Sequence, residues 1–187
     1  MGRWKPDGRG RLEEAALALF GERRFENTTV AQIAARAGLT ERTFFRYFAD
    51  KREVLFWGSR TLQEVMVDAL ATTPQSAPPL EAVAAALAAA GTILQDRFEI
   101  ARKRQAVIGA SVELRERELI KLASLAAALG DGLRRRGTAG PTATLTAEAG
   151  IAVFRVAFDR WVTGTAPHDL PQLIRDSLEE LRGVTAR

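Results

Sequence analysis

The chain has 187 residues, 27 Lys+Arg against 23 Asp+Glu, 47% apolar and 7% aromatic residues, no cysteine and one histidine, which suits one compact unit with a small appended head. That inventory excludes a disulfide scaffold, a thiolate metal site, a cysteine nucleophile and every two-histidine metal motif, and no run approaches the roughly 18 strongly apolar residues of a membrane span. Residues 1–60 hold 12 Lys+Arg and 8 Asp+Glu while residues 61–187 hold 15 of each, the asymmetry expected when one end meets a polyanion, although so modest an excess also fits a plain solvated surface.

Apolar residues recur at helical spacing throughout, and no alternating β-branched run reads as a strand, so an all-α fold is expected. Leu12, Ala15, Ala16, Leu19 and Phe20 form one stripe of a helix from about Arg9 to Arg24. Thr29 followed by Gln32 has capping-box spacing and opens a short second helix with Val30, Ile33, Ala34 and Ala37 on one side, stopped by Gly38 as a left-handed residue. Thr40 can cap a third helix, and Leu39 with Phe44 has the spacing of a hydrophobic staple. Two short helices at a tight glycine-containing turn are the sequence form of a helix-turn-helix, whose second helix enters the DNA major groove. Asp50 with Glu53 begins a longer fourth helix through Leu55, Leu62, Met66 and Leu70 to about Thr72. Further helices are expected at about Leu80 to Gln95, Asp96 to Gly109, Val112 to Arg136, Thr144 to Thr163 and Leu170 to Leu181. The expected architecture is a three-helix N-terminal head over residues 9–56, joined by the long fourth helix to a C-terminal bundle over residues 57–187, about nine helices in all.

The segment Thr28 to Lys51 carries the most specific pattern. An aromatic precedes paired threonines (Phe25, Thr28, Thr29), then come V-x-x-I-A (Val30 to Ala34), A-G-L-T (Ala37 to Thr40) and T-F-F-R-Y-F-x-x-K (Thr43 to Lys51). Over about Arg9 to Phe56 the chain resembles the TetR-family transcriptional regulators. The resemblance implies a homodimer whose N-terminal heads read a pseudo-palindromic DNA operator, while the C-terminal helices dimerise and enclose a pocket for a small-molecule effector that releases the protein from DNA.

The residues point the same way. In the third helix Phe44 and Phe48 lie four apart and can face the first helix, leaving Glu41, Arg42, Phe45 and Arg46 on outer faces. Arg42 is placed for a guanine edge, with Thr40 and Thr43 near it. Phosphate contacts are expected from Thr28 or Thr29, from Tyr47, and from Lys51 at the start of the fourth helix. Where many family members carry tyrosine this chain has Phe45, leaving an apolar or thymine-methyl contact, and Arg42 replaces a residue that is often small. Arg3, Trp4, Lys5 and Arg9 form either a basic arm for the minor groove or a disordered tail.

In the C-terminal part Met66, Phe98, Arg102, Gln105, Leu122, Leu125, Phe154 and Phe158 either line an effector pocket or form ordinary core. Arg102 and Gln105 share a face, and an inward Arg102 would favour an anionic or carbonyl-bearing effector. Two apolar stripes, Val153, Val156, Ala157 and Trp161, then Leu170, Leu173, Ile174, Leu178 and Leu181, are the candidate dimer surface. His168 beside Pro167 reads as a surface loop residue.

No activated nucleophile, phosphate-binding glycine loop or metal-ligand pair is visible, and Glu148 and Asp159 are scattered carboxylates, so no catalytic residue, cofactor, metal or enzyme activity is expected. The basic residues within Met1 to Gly10 precede no apolar stretch or cleavage site, so a cytoplasmic protein is expected. The abundance of arginine and alanine over lysine suggests a GC-rich bacterial genome. A DNA-organising or recombination accessory factor, and a helical-bundle enzyme, remain the alternative readings.

Overall fold

The computed structural model of the chain describes residues 7–164 and 169–185. Among the described residues the fold is all-helical, with ten helices: α1 Gly8–Arg23, α2 Val30–Arg36, α3 Glu41–Tyr47, α4 Glu53–Phe56, α5 Ser59–Thr72, α6 Pro79–Gln95, α7 Phe98–Gly109, α8 Val112–Arg135, α9 Gly140–Thr163 and α10 Leu170–Thr185. The count exceeds the expected nine because the fourth helix is divided at Trp57 and Gly58. Trp57 keeps helical dihedrals (φ −59°, ψ −31°), but Gly58 after it disfavours helix by about 1 kcal/mol relative to alanine, and the helix resumes only at Ser59. No described helix is long and apolar enough to cross a membrane.

Two compact units emerge. The first comprises the chain up to Gly58 together with Lys103–Glu118; the second comprises Ser59–Arg102 and the chain from Leu119 on. The N-terminal head thus extends beyond a continuous segment ending near residue 56. Its core joins Leu12, Phe20, Phe25, Ile33, Phe44, Phe48 and Val54 to Val107, Ile108 and Leu114 from the later segment. Each such fully buried large aliphatic or aromatic side chain stabilises by about 1.5–3 kcal/mol, so Lys103–Glu118 is an integral part of this unit's core. Polar groups in the same unit add direction. Arg104 donates through Nε to the Leu55 carbonyl (2.6 Å) and through Nη1 to Glu118 (3.1 Å), its guanidinium 4.9 Å from the Phe56 ring centroid. Burial pushes the Arg104 guanidinium down from its ordinary pKa, and Glu118 opposes that shift. Arg117 Nε donates to Glu53 (3.0 Å), and Arg52 Nη1 donates to Glu113 (3.1 Å).

The second unit packs α5, α6, α9 and α10 with the flanking parts of α7 and α8 around Met66, Val83, Leu87, Phe98, Leu125, Leu129, Phe154, Trp161 and Ile174. The alanine-rich α6 buries Ala82, Ala86 and Ala90, small residues that let neighbouring helices approach. Trp161 is fully buried and meets Phe98 edge-on at 5.2 Å, a geometry worth about 0.5–1.5 kcal/mol beyond its area.

Candidate nucleic-acid interface

The helix-turn-helix is fixed by its caps. Thr29 Oγ1 accepts the Gln32 N–H (3.2 Å) while Gln32 Oε1 accepts the Thr29 N–H (3.0 Å), a complete capping box for α2. Gly38, at φ 63°, ends α2 in the left-handed region open to glycine. Arg11 on α1 donates to the carbonyls of Ala37 and Gly38 and so clamps the turn. Thr40 accepts the Thr43 N–H (3.2 Å) and starts α3, with Leu39 packed against the same core that holds Phe44. Asp50 Oδ1 accepts the N–H groups of Arg52 (2.8 Å) and Glu53 (3.2 Å) before α4. The Arg52 guanidinium, 2.6 Å from Asp50, holds that carboxyl below the ordinary 3.8, and the two backbone N–H groups add to the effect.

This scaffold sends α3 outward. Phe44 is fully buried, whereas Phe45 is 55% exposed and Glu41, Arg42 and Arg46 are exposed. Arg42 makes no hydrogen bond or ion pair among the described residues. Arg46 donates to the Tyr47 hydroxyl (3.1 Å) and lies 5.0 Å from that ring's centroid. Thr29 and Thr40 are exposed, and Thr43 and Tyr47 are half-buried. Arg42, Thr40, Thr43, Phe45, Arg46 and Tyr47 therefore belong to one short helix and its cap, and Thr29 caps the helix before it.

Two of the expected phosphate ligands are engaged within the chain. Thr28 is 1% exposed, and its hydroxyl donates to the Arg24 carbonyl (2.9 Å), so its polar group closes the α1–α2 loop. Lys51 donates through Nζ to the carbonyls of Phe25 (2.8 Å) and Thr28 (3.0 Å), with Glu26 at 3.5 Å and the Phe25 ring centroid at 4.2 Å. An ammonium has three donors; these carbonyls occupy them, making Lys51 a loop anchor. Arg9 lies within α1 and is exposed, its guanidinium carbon 5.6 Å from the Tyr47 ring centroid and 5.2 Å from that of Trp57. Arg3, Trp4 and Lys5 fall outside the described residues, as do Pro167 and His168. The Arg11 turn clamp had no signal in the sequence, because a helix-face arginine is equally compatible with solvent.

The C-terminal expectations divide as well. Met66, Phe98, Leu125 and Phe154 are buried together, with Leu122 and Phe158 against them. Arg102 is exposed, however, and Gln105 belongs to the first unit, where its Nε2 donates to Glu118 (3.3 Å). Neither joins that aromatic cluster, so the ground for an anionic effector is removed. The proposed dimer stripes are corrected more strongly. Val153, Ala157, Trp161, Leu170, Ile174 and Leu178 are buried in the unit's own core, with Leu173 and Leu181 packed against it, and Val156 alone of the named residues is in the exposed class, at 47%. The amphipathic faces satisfied one another within the chain before any partner was needed.

Comparison with known proteins decides the class. The profile of bacterial regulatory proteins of the TetR family matches residues 12–56, and that of the MftR C-terminal domain matches residues 77–186, more than half of the chain. The chain belongs to the TetR family of transcriptional regulators. It is 40% identical over 81 residues to the HTH-type transcriptional regulator TcmR of Streptomyces glaucescens, a match covering 43% of this chain and 36% of that relative. The matched part thus spans little more than a third of the curated relative's length. Among solved structures, the SmeT–triclosan complex aligns at TM-score 0.65 and 22% identity over 95% of this chain and 90% of that one. FadR from Bacillus subtilis with stearoyl-CoA aligns at 0.61 and 21% over 92% and 96%. FadR from Bacillus halodurans aligns at 0.62 and 19% over 96% of both chains. These likenesses show a shared fold.

Proposed function

We propose that the chain is a homodimeric cytoplasmic repressor that reads a pseudo-palindromic operator and leaves it when a small apolar molecule binds the second unit. The observation that carries DNA reading is α3. Its seven residues bury Phe44 but leave Arg42, Phe45 and Arg46 exposed, an arrangement that costs apolar exposure and helps no core. Arg42, on the first turn, reaches a guanine edge through its bidentate fork, with Thr40 and Thr43 beside it. Phe45 meets a thymine methyl group, while Thr29, Arg46 and Tyr47 hold phosphates.

DNA binding is assigned to residues 9–56, completed by Lys103–Glu118, and effector binding and dimerisation to the second unit. The apolar cluster of Met66, Phe98, Phe154, Phe158 and Trp161 supports an uncharged, largely hydrophobic effector. Triclosan, held by the SmeT structure, fits that class, as does the acyl chain of the stearoyl-CoA held by the FadR structure, whose CoA part is anionic. For dimerisation the outward side of α9 replaces its buried stripe: Leu145 is 71% exposed, Val156 is 47% exposed, and Ala152 lies between them on the same face. Pairing α9 and α10 with their copies would make a two-fold four-helix bundle.

Release follows a population shift. Helices α7 and α8 each begin in one compact unit and end in the other, so a ligand that favours one placement of their second-unit turns also biases Val107, Ile108 and Leu114 in the head core. Heads set wrongly for half-sites about 34 Å apart lose operator affinity. The test is selection of bound fragments from sheared genomic DNA by the purified protein, followed by sequencing. An enriched pseudo-palindrome supports the reading; retention of DNA without a shared motif favours a DNA-organising factor and overturns it.

A further inference from the structure

Arginines in the first unit fall into two groups. Arg11, Arg36, Arg52, Arg104 and Arg117 are committed to carbonyl or carboxylate oxygens within the unit. Arg9 makes no hydrogen bond or ion pair among the described residues, yet it is not loose. Its guanidinium carbon lies 5.6 Å from the centroid of the Tyr47 ring and 5.2 Å from that of Trp57. Two aromatic contacts fix the cation through the ring quadrupoles, while the five N–H donors of a guanidinium project from its edges in one plane. The side chain is positioned, and its donors await an acceptor.

The same tyrosine carries a second cation. Arg46 stands 5.0 Å from the Tyr47 centroid and donates to its hydroxyl at 3.1 Å, which leaves the hydroxyl proton for another acceptor. Gly8 makes the approach of α1 feasible, because a Cβ there would come within 3.2 Å of Tyr47 Cε2 and of its hydroxyl. At the start of α1 the Gly10 N–H is already taken by Asp7 Oδ1 at 2.8 Å, and the attraction for an anion here rests on the arginine edges. We propose that Arg9, Tyr47 and Arg46 form a preorganised clamp for one DNA backbone phosphate, with Trp57 as the shelf that holds Arg9 in place. The proposal rests on the reading of the head as a binder of duplex DNA, and it makes Arg9 a backbone contact in place of a minor-groove arm. A phosphodiester fits because its oxygens accept bidentate bonds in the guanidinium plane and call for charge from both sides.

The test uses the full chain and a fluorescein-labelled random duplex of about 30 base pairs, with anisotropy followed from about 50 to 300 mM NaCl. Arg9→Ala should lower the slope of log K against log salt by about 0.9, the loss of one phosphate contact, and weaken binding about ten-fold at fixed low salt. Arg23→Ala removes the same charge from an exposed position on α1 without an aromatic support and should leave the slope unchanged. Equal effects of the two variants would mean that only net charge matters and would overturn the proposal, as would an unchanged slope in Arg9→Ala. Arg9→Lys keeps the charge but loses the planar fork; a several-fold weaker complex is expected. If Arg9→Ala fails to fold, wild-type affinity in Arg9→Lys overturns the proposal. Failure of the wild-type chain to bind duplex even at the lowest salt is a different outcome, which rejects the DNA-binding reading itself.

Discussion

In the first unit Phe45 stands 55% exposed on a seven-residue helix and Arg42 beside it has no partner among the described residues, whereas in the second unit Trp161, from an equally regular apolar stripe, is completely buried. The contrast separates two kinds of signal. An apolar stripe states only that a face will be buried, and a neighbouring helix of the same chain serves as well as a partner. An exposed aromatic beside an arginine without a partner has no such internal solution, which makes it a candidate interface. The first unit therefore displays Arg42, Phe45 and Arg46 to solvent, and the second unit conceals the side chains that give it cohesion.

The largest effect is expected from cutting the concealed stripe. Trp161→Ala should lower unfolding free energy by about 3–5 kcal/mol, read by denaturant titration, whereas the outward Val156→Asp should leave stability within about 0.5 kcal/mol but shift the chain toward monomer in sedimentation. If Trp161→Ala instead dissociated a dimer with little loss of stability, the stripe would be intermolecular after all.

Lys51→Ala comes next. Removing the ammonium leaves the carbonyls of Phe25 and Thr28 without their donor, and a loss of about 1–3 kcal/mol in head stability is expected, with the salt slope of DNA binding unchanged. A slope reduced by about 0.9 with stability intact would return Lys51 to the phosphate contacts.

The smallest effect concerns acid. Asp50 has its folded pKa depressed below 3.8, first by the Arg52 hydrogen bond. Its contribution is therefore fully present above about pH 4 and is lost as pH falls through the folded value. Asp50→Asn should flatten this part of the acid limb in thermal melts taken from about pH 5 to 2, by no more than about 1 kcal/mol because the pair is partly exposed. An acid limb as steep as that of the wild type would show that other carboxylates carry it.

The sequence made the head legible because caps and turns are local chemistry. Thr29 with Gln32, Gly38 and Thr40 act within a few residues of themselves, so their spacing alone places α2, the turn and α3. Local spacing is silent where a side chain acts across the chain. Lys51 and Thr28 look like phosphate donors until the carbonyls of the α1–α2 loop fill their hydrogen bonds, and nothing near Lys103 in sequence tells that Val107, Ile108 and Leu114 complete the head core. The aromatic cluster of Phe98, Phe154 and Trp161 was visible as helical periodicity, but which neighbour buries each face is a tertiary matter. Arg102 and Gln105 share a helix face by spacing, yet they lie on opposite sides of the boundary between the compact units.

The most direct test of sequence reading by α3 is to repeat the genomic selection with Arg42→Ala beside the wild-type chain. The motif should survive while one symmetry-related pair of positions loses its preference, at a cost of about 1–3 kcal/mol against the preferred base. An unchanged motif, or a uniform loss of affinity for every sequence, would rule out Arg42 on a base edge and with it the reading of DNA by this helix.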